Sequence, residues 1–192
     1  MEAYLISVND DEDSGAIIVF AGTENEARNI GAAELLTDSE SVEAVRNPEY
    51  DRYSDLGYVP IKVLYDDNWW FECWHCQVKV YDDCENEDEE GNFLEPVFEE
   101  RRLFCCQTCR QDFYVRVNAN RQERDAAKQQ LFVRLPGIAI GSCHGGGEHG
   151  VWVEFSFPGG KYGVRWNSKD PDTFLVTVGD KENWAAFCAS LN

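Results

Sequence analysis

The sequence predicts an α+β protein in three successive parts. These are a β-β-α-β unit over residues 1–66, a cysteine-bearing segment with a long helix over 67–135, and an antiparallel sheet with a closing helix over 136–192. Three observations carry this reading. Short apolar or alternating runs bounded by turn residues occupy both ends of the chain. Two cysteine clusters, WWFECWHC at 69–76 and LFCCQTC at 103–109, lie in the middle. The stretch after the second cluster has helical periodicity, with neither glycine nor proline until Pro136-Gly137.

The opening AYLISVND reads as a strand, DDEDSG as a polar turn, and AIIVFAG as the second arm of a hairpin. Thr23 stands at an N-cap position with Glu26 three residues on, a pairing that satisfies amides the first helical turn leaves open. The helix ENEARNIGAAELL follows, its apolar side formed by Ala27, Ile30 and Leu35. SVEAVRNPEYDRY then predicts a strand ending at Pro48. Between 61 and 81, extended aromatic-rich flanks predict a hairpin with the first cysteines at its tip. Residues 82–100 predict a solvated loop, because YDDCENEDEEGN is too charged and turn-rich to pack. In the long helix Phe113, Val117, Ala127 and Leu131 share one face, and Arg116, Arg121, Arg124 and Lys128 decorate the remainder. Beyond it IAIGS, VWVEFSF, YGVRWNS and TFLVTVG predict strands, with a hairpin turn at Phe157-Pro158-Gly159-Gly160. Asp180 begins a closing helix, DKENWAAFCASL, with the acidic first turn that helix starts favour.

The hydrophobic fraction of 43% and six Trp are enough to bury a core. MEAYLISVND lacks the basic start and apolar run of a signal peptide, and no stretch approaches the ~18 apolar residues of a membrane helix. The expected location is a reducing cytoplasm with no membrane partner, where eight Cys favour metal binding or free thiols over disulfides. The net charge of −19 is uneven. Residues 1–100 hold 27 acids and 5 bases, whereas 101–192 hold 9 acids and 12 bases. A general basic nucleic-acid binder is disfavoured, because phosphate affinity comes from concentrated Lys and Arg. An acidic half suits a basic protein partner, or serves as a solvated surface.

Cys73 and Cys76 form a C-x-x-C knuckle, from which two thiolates converge on one ion. The second knuckle is open to two readings: Cys106 and Cys109 repeat C-x-x-C, while Cys105 and Cys109 make C-x-x-x-C. Zn²⁺ takes four ligands at ~2.3 Å from sulfur, and two such knuckles meet that need. FCCQTCRQDF at 104–113 resembles the FC-x-x-x-C-x-x-x-F of TRASH/YHS-type treble-clef zinc fingers, a likeness that covers residues 70–113. The resemblance implies a treble-clef-like finger leading into the long helix. It also implies one structural zinc on Cys73, Cys76, Cys105 and Cys109, with Cys106 as the alternative third ligand. Cys109 would open the helix, where unpaired amides and the dipole stabilise a thiolate, and Phe113 would pack behind the metal. A redox C-x-x-C is the competing reading, but it has no need of the second cluster. His75 is expected to be exposed, Cys84 free, and Cys188 a core thiol among Trp184, Phe187 and Leu191.

SCHGGGEHG at 142–150 gathers Cys143, His144, Glu148 and His149, either as a second metal site or as a flexible turn. The glycines lack the Lys-Ser/Thr of a phosphate loop. No nucleophile elbow and no H-E-x-x-H is present, and a closed four-thiolate site leaves no position for activated water, so no enzyme activity is expected. ARNIGAAEL, RNPEYDRY, DNWWFECWHC, FPGGKYGVRWNSKDPDTFLV and GDKENWAAF are similar to stretches of small acidic zinc-finger proteins carried by bacteriophages and prophages. That resemblance implies host takeover or counter-defence in the host cytoplasm. The expected function is that of a nucleic-acid mimic. Asp82, Asp83, Glu85, Glu87, Asp88, Glu89 and Glu90, with Asp10, Asp11, Glu12 and Asp13, would occupy the basic nucleic-acid site of a host protein. The alternative is a zinc-finger DNA- or RNA-binding protein using Arg101, Arg102, Arg110, Arg116, Arg121, Arg124 and Arg134. Those arginines could equally pair with the acidic half, in one chain or across a homodimer.

Overall fold

The predicted N-terminal hairpin forms as β1 (Glu2–Val8) and β2 (Ala16–Ala21) in the computed structural model, which describes residues 1–9, 15–81 and 94–191. The chain divides into two compact units, Met1–Cys109 and Arg110–Asn192. The long helix, expected to belong with the cysteines, thus falls for most of its length with the C-terminal sheet.

In the first unit, β3 (Val42–Arg46) completes an antiparallel sheet of order β2-β1-β3. Its residues alternate between two layers, as the pleat requires. Tyr4, Ile6, Val19, Ala21, Val42 and Ala44 pack against α1 (Glu24–Glu34) through Ala27 and Ala32. Ala3 and Phe20 on the other face pack with Tyr50 and Val59. The predicted cap is present: the Thr23 hydroxyl accepts the Glu26 amide at 3.2 Å, and the Glu26 carboxylate accepts the Gly22 amide at 2.8 Å. Gly31 lets α1 lie close on the sheet, since a Cβ there would stand 2.5 Å from the Ile6 side chain.

The extended reading of residues 61–66 is corrected to a short helix, α2 (Ile61–Asp66). Pro60 is its N-cap, Ile61 and Tyr65 share the buried side four residues apart, and Lys62 pairs with Asp66 at the same spacing. Only β4 (Phe71–Glu72) and β5 (Lys79–Val80) remain of the predicted hairpin arms. The loop expected over 82–100 is also cut short: β6 (Val97–Phe98) pairs antiparallel with β7 (Leu103–Phe104). Residues 82–93 lie outside the described residues.

The helix α3 (Gln107–Arg134) begins ahead of Cys109, the residue expected to open it. In the second unit, β8 (Ala139–Gly145), β9 (Val151–Ser156), β10 (Val164–Asn167) and β11 (Asp170–Val176) form an antiparallel meander of order β11-β10-β9-β8. The helix α4 (Lys181–Ser190) closes it. Val151, Val153, Phe155, Val164 and Trp166 present one sheet face to Ala127 and Leu131 of α3 and Phe187 of α4. Trp166 is fully buried, and its indole nitrogen donates to the Pro171 carbonyl at 3.0 Å. β11 therefore starts at Asp170 rather than at Thr173. Proline is tolerated there because β11 is an edge strand, where a missing amide breaks no ladder bond. Cys188 packs against this core as expected. Among the described residues no helix is long and apolar enough to cross a membrane.

Candidate metal centre

Two hairpins and one helix start build the site. The turn between β4 and β5 carries Cys73 and Cys76: the Cys73 amide donates to the Val78 carbonyl at 2.9 Å, and the Gln77 amide returns to the Cys73 carbonyl at 2.9 Å. Gln77 takes a φ of 63°, the left-handed conformation that closes the knuckle. The hairpin β6–β7, turned by the Glu99 amide on the Arg102 carbonyl at 2.8 Å, delivers Cys105 from the end of β7. The first turn of α3 delivers Cys109. The Trp74 amide donates to the Leu103 carbonyl at 3.0 Å, tying the first knuckle to the second hairpin. The order knuckle, hairpin, helix is that of the treble-clef-like finger expected from the sequence.

The Sγ atoms of Cys73, Cys76, Cys105 and Cys109 all lie within 4.8 Å of one another. Cys105 is 3.7 Å from Cys76 and 3.4 Å from Cys109. A tetrahedron of sulfurs ~2.3 Å from zinc has edges of about 3.8 Å, so the four thiols fit one ion with little adjustment. Cys73 and Cys105 are buried, Cys109 is half-buried and Cys76 is exposed.

The choice between Cys105 and Cys106 has a local cause. Cys106 immediately precedes α3, and its sulfur accepts the amide of Cys109 at 3.5 Å. It fills the role a serine or aspartate has at an N-cap, and although its sulfur lies 4.0 Å from that of Cys105 it is not one of the four that all lie close to one another. A capping reading of the three-residue spacing between Cys106 and Cys109 would have found this in the sequence. His75 is half-buried rather than exposed, with an enclosed Nδ1 that has no hydrogen-bond partner.

The thiols differ sharply in acidity. Burial pushes Cys73 up, but amides of Cys76, Cys105 and His75 outweigh it and bring the group to about 7. Burial, reinforced by the thiols of Cys109, Cys76 and Cys73, raises Cys105 far above the ordinary range. Burial also drives Cys109 up to about 12. Such a cluster at neutral pH holds protons that a cation would displace.

The loop at 142–150 forms no such cluster. Cys143 and His144 are consecutive in β8 and so point to opposite faces: Cys143 packs toward the core, while His144, Glu148 and His149 are exposed. Among the described residues the four-cysteine group is the one set of metal-ligand side chains close enough to share an ion. The predicted arginine stripe is partly spent on its own unit. Arg124 donates to the Gly145 carbonyl at 3.5 Å, and Arg134 to the Pro171 carbonyl and Asp172. Arg116 and Arg121 are exposed. The partner-contact residues Asp82, Asp83, Glu85, Glu87, Asp88, Glu89 and Glu90 lie outside the described residues, as do Asp10–Asp13 and Cys84.

No family model, curated protein or solved structure matches the chain. The reading of function therefore rests on the residues themselves.

Proposed function

We propose that Cys73, Cys76, Cys105 and Cys109 hold one structural zinc ion, and that the chain is a binding protein whose acidic unit engages a basic, nucleic-acid-binding protein. The observation that carries the first half is the closure of the donor set: four sulfurs within 4.8 Å of one another. All-thiolate sites favour zinc over hard cations such as magnesium and calcium. With four protein ligands the ion has no open position for water or substrate, so it acts on the fold.

Charge supports the second half. Residues 1–109 hold 27 acids and 7 bases, a field that speeds encounter with a basic surface. The similarity to acidic zinc-finger proteins of phages favours a host protein, with the carboxylates of 82–90 standing in for phosphates. Zinc determined by mass spectrometry should give one ion per chain, lost on substituting Cys73 or Cys105. Immobilised protein should capture a basic host factor at about 50 mM salt and release it at about 500 mM. The released factor should bind duplex DNA, and this protein should compete with that DNA. Retention unaffected by salt, or absence of competition, rejects mimicry. Retardation of free DNA, abolished by Arg116→Ala with Arg121→Ala, supports the nucleic-acid-binding alternative instead.

A further inference from the structure

The sheet of the first unit has a free edge, and that edge faces a cavity. β2 is the outer strand, and the cavity, of about 1060 Å³, is lined by every residue from Ala16 to Phe20. Side chains of consecutive strand residues point to opposite faces, so five in a row border one space only where that space lies against the strand's edge. The walls agree. Ile30 and Glu34 of α1 line the cavity from the layer above the sheet, and Val59, Ile61 and Leu64 from the layer below. Trp69 and Trp74 also border it. Both covering layers extend past β2, and the sheet between them stops one strand short.

The main chain at this edge has a definite phase. The Ala3 amide donates to Asp51 at 2.8 Å, and its carbonyl accepts the Asn47 amide at 2.9 Å, so Ala3 directs its polar groups toward β3. Alternation then turns Tyr4 and Ile6 toward β2, where they face Val19 and Ile17. Ala16, Ile18 and Phe20 consequently direct their amides and carbonyls outward, and among the described residues none of these groups has a hydrogen-bond partner. Unpaired main-chain groups beside an apolar wall are the condition that strand addition relieves.

We propose that this edge receives a fourth strand, an extended segment of a partner protein in which basic and apolar residues alternate. The six residues of β2 span about 20 Å, the length of a short strand. Side chains of the incoming segment on one face meet Val59, Ile61 and Leu64 and are apolar. Those on the other face meet Glu34, which is exposed, and are basic; along the whole lining Glu34, Glu99 and Glu100 outnumber Arg101 and Arg102. Lys or Arg there also answers the acidic field of the unit. The basic half of this pattern rests on the acidic-partner reading above; the strand pairing does not.

The test uses zinc-loaded, isotopically labelled full-length protein and a ten-residue peptide alternating lysine with valine. Amide exchange at Ile18 and Phe20, followed by nuclear magnetic resonance, should slow at least tenfold at saturation. Backbone amides of alternate residues in a strand face opposite edges. Of two peptides N-methylated at every valine or at every lysine, one should therefore bind at least tenfold more weakly and the other like the parent. Glu34→Lys should weaken the lysine peptide and strengthen a glutamate–valine peptide.

Unchanged exchange at Ile18 and Phe20, or equal binding by both methylated peptides, overturns strand addition. If salt-sensitive capture of a basic factor persists in that event, the function proposed above still stands. Equal binding of the lysine and glutamate peptides at the same amides leaves strand addition intact and rejects the basic partner. Exchange that slows with protein concentration alone assigns the edge to a second copy of this chain and overturns the partner segment.

Discussion

Replacing Cys105 by serine, beside the same change at Cys106, tests whether Cys105 is the ligand proposed above. A metal held by Cys76 and Cys105 closes a loop with 28 residues between its ends. In the chain-entropy treatment of cross-links, a loop of that length is worth about 3.5 kcal/mol, because the unfolded chain loses that freedom when the clip is made. Cys105 also lies 3.7 Å from Cys76 and 3.4 Å from Cys109, so its loss removes one of the two sulfurs that the second knuckle brings to the first and leaves three donors for the ion. Cys106→Ser should be nearly silent, since serine is itself a preferred cap and can accept the Cys109 amide. The assay is urea denaturation of zinc-loaded protein, read by amide-exchange mass spectrometry on segments 69–80 and 97–104. With a slope near 2 kcal/mol per molar urea, Cys105→Ser should lower the midpoint of those segments by about 2 M. Chelation of the parent protein should do the same, while Cys106→Ser moves it by less than about 0.5 M. Equal shifts in the two variants would refute the ligand assignment, and no shift on chelation would refute the metal.

Protonation sets a second expectation. Cys105 and Cys109 are raised by burial, Cys109 to about 12, so zinc must displace a proton from each at neutral pH. Zinc affinity, measured by competition with a chromophoric chelator, should therefore fall by at least about a hundredfold as the pH drops from 8 to 7. In the second unit, burial of Asp180 opposes its ionisation, but the amides of Lys161 and Tyr162 and the Asn183 side chain outweigh it and lower its pKa. A lowered carboxyl pKa adds stability above its unfolded value, near 3.9, and loses it as the pH falls through the folded value. The Tm of this unit should decline below about pH 4, and Asp180→Asn should have a lower Tm at pH 7 with a shallower acid decline. Trp166→Ala removes a fully buried ring and its bond to the Pro171 carbonyl, and should cost about 3–5 kcal/mol by urea titration. An effect below about 1 kcal/mol would contradict the core placed around it.

What the sequence alone determined is what short-range chemistry encodes. The cap between Thr23 and Glu26 is satisfied within three residues, so a four-residue window reveals it. The run from Phe113 to Leu131 repeats often enough for its helical period to be legible, and the strands β9 and β10 alternate cleanly between core and solvent. Cysteine spacing likewise exposed the knuckles, because two ligands on one tight turn are a local constraint.

Tertiary structure decided the rest, where the determining contact is distant in sequence. The strands β4 to β7 have two residues each, too few to show a period, and exist through pairing across turns and through the Trp74–Leu103 bond. Residues 61–66 carry apolar side chains that serve a strand or a helix, and burial of Ile61 with Tyr65 selects the helix. Cys105 and Cys106 are chemically identical and adjacent. The cap that occupies Cys106 is local, three residues long, but that Cys105 and not Cys106 completes the four-sulfur group depends on the distant first knuckle. Cys143 and His144 look like ligands in the sequence until the pleat of β8 sends them to opposite faces. The free edge of β2 is likewise invisible in its own residues, since AIIVFA would read the same in the middle of a sheet.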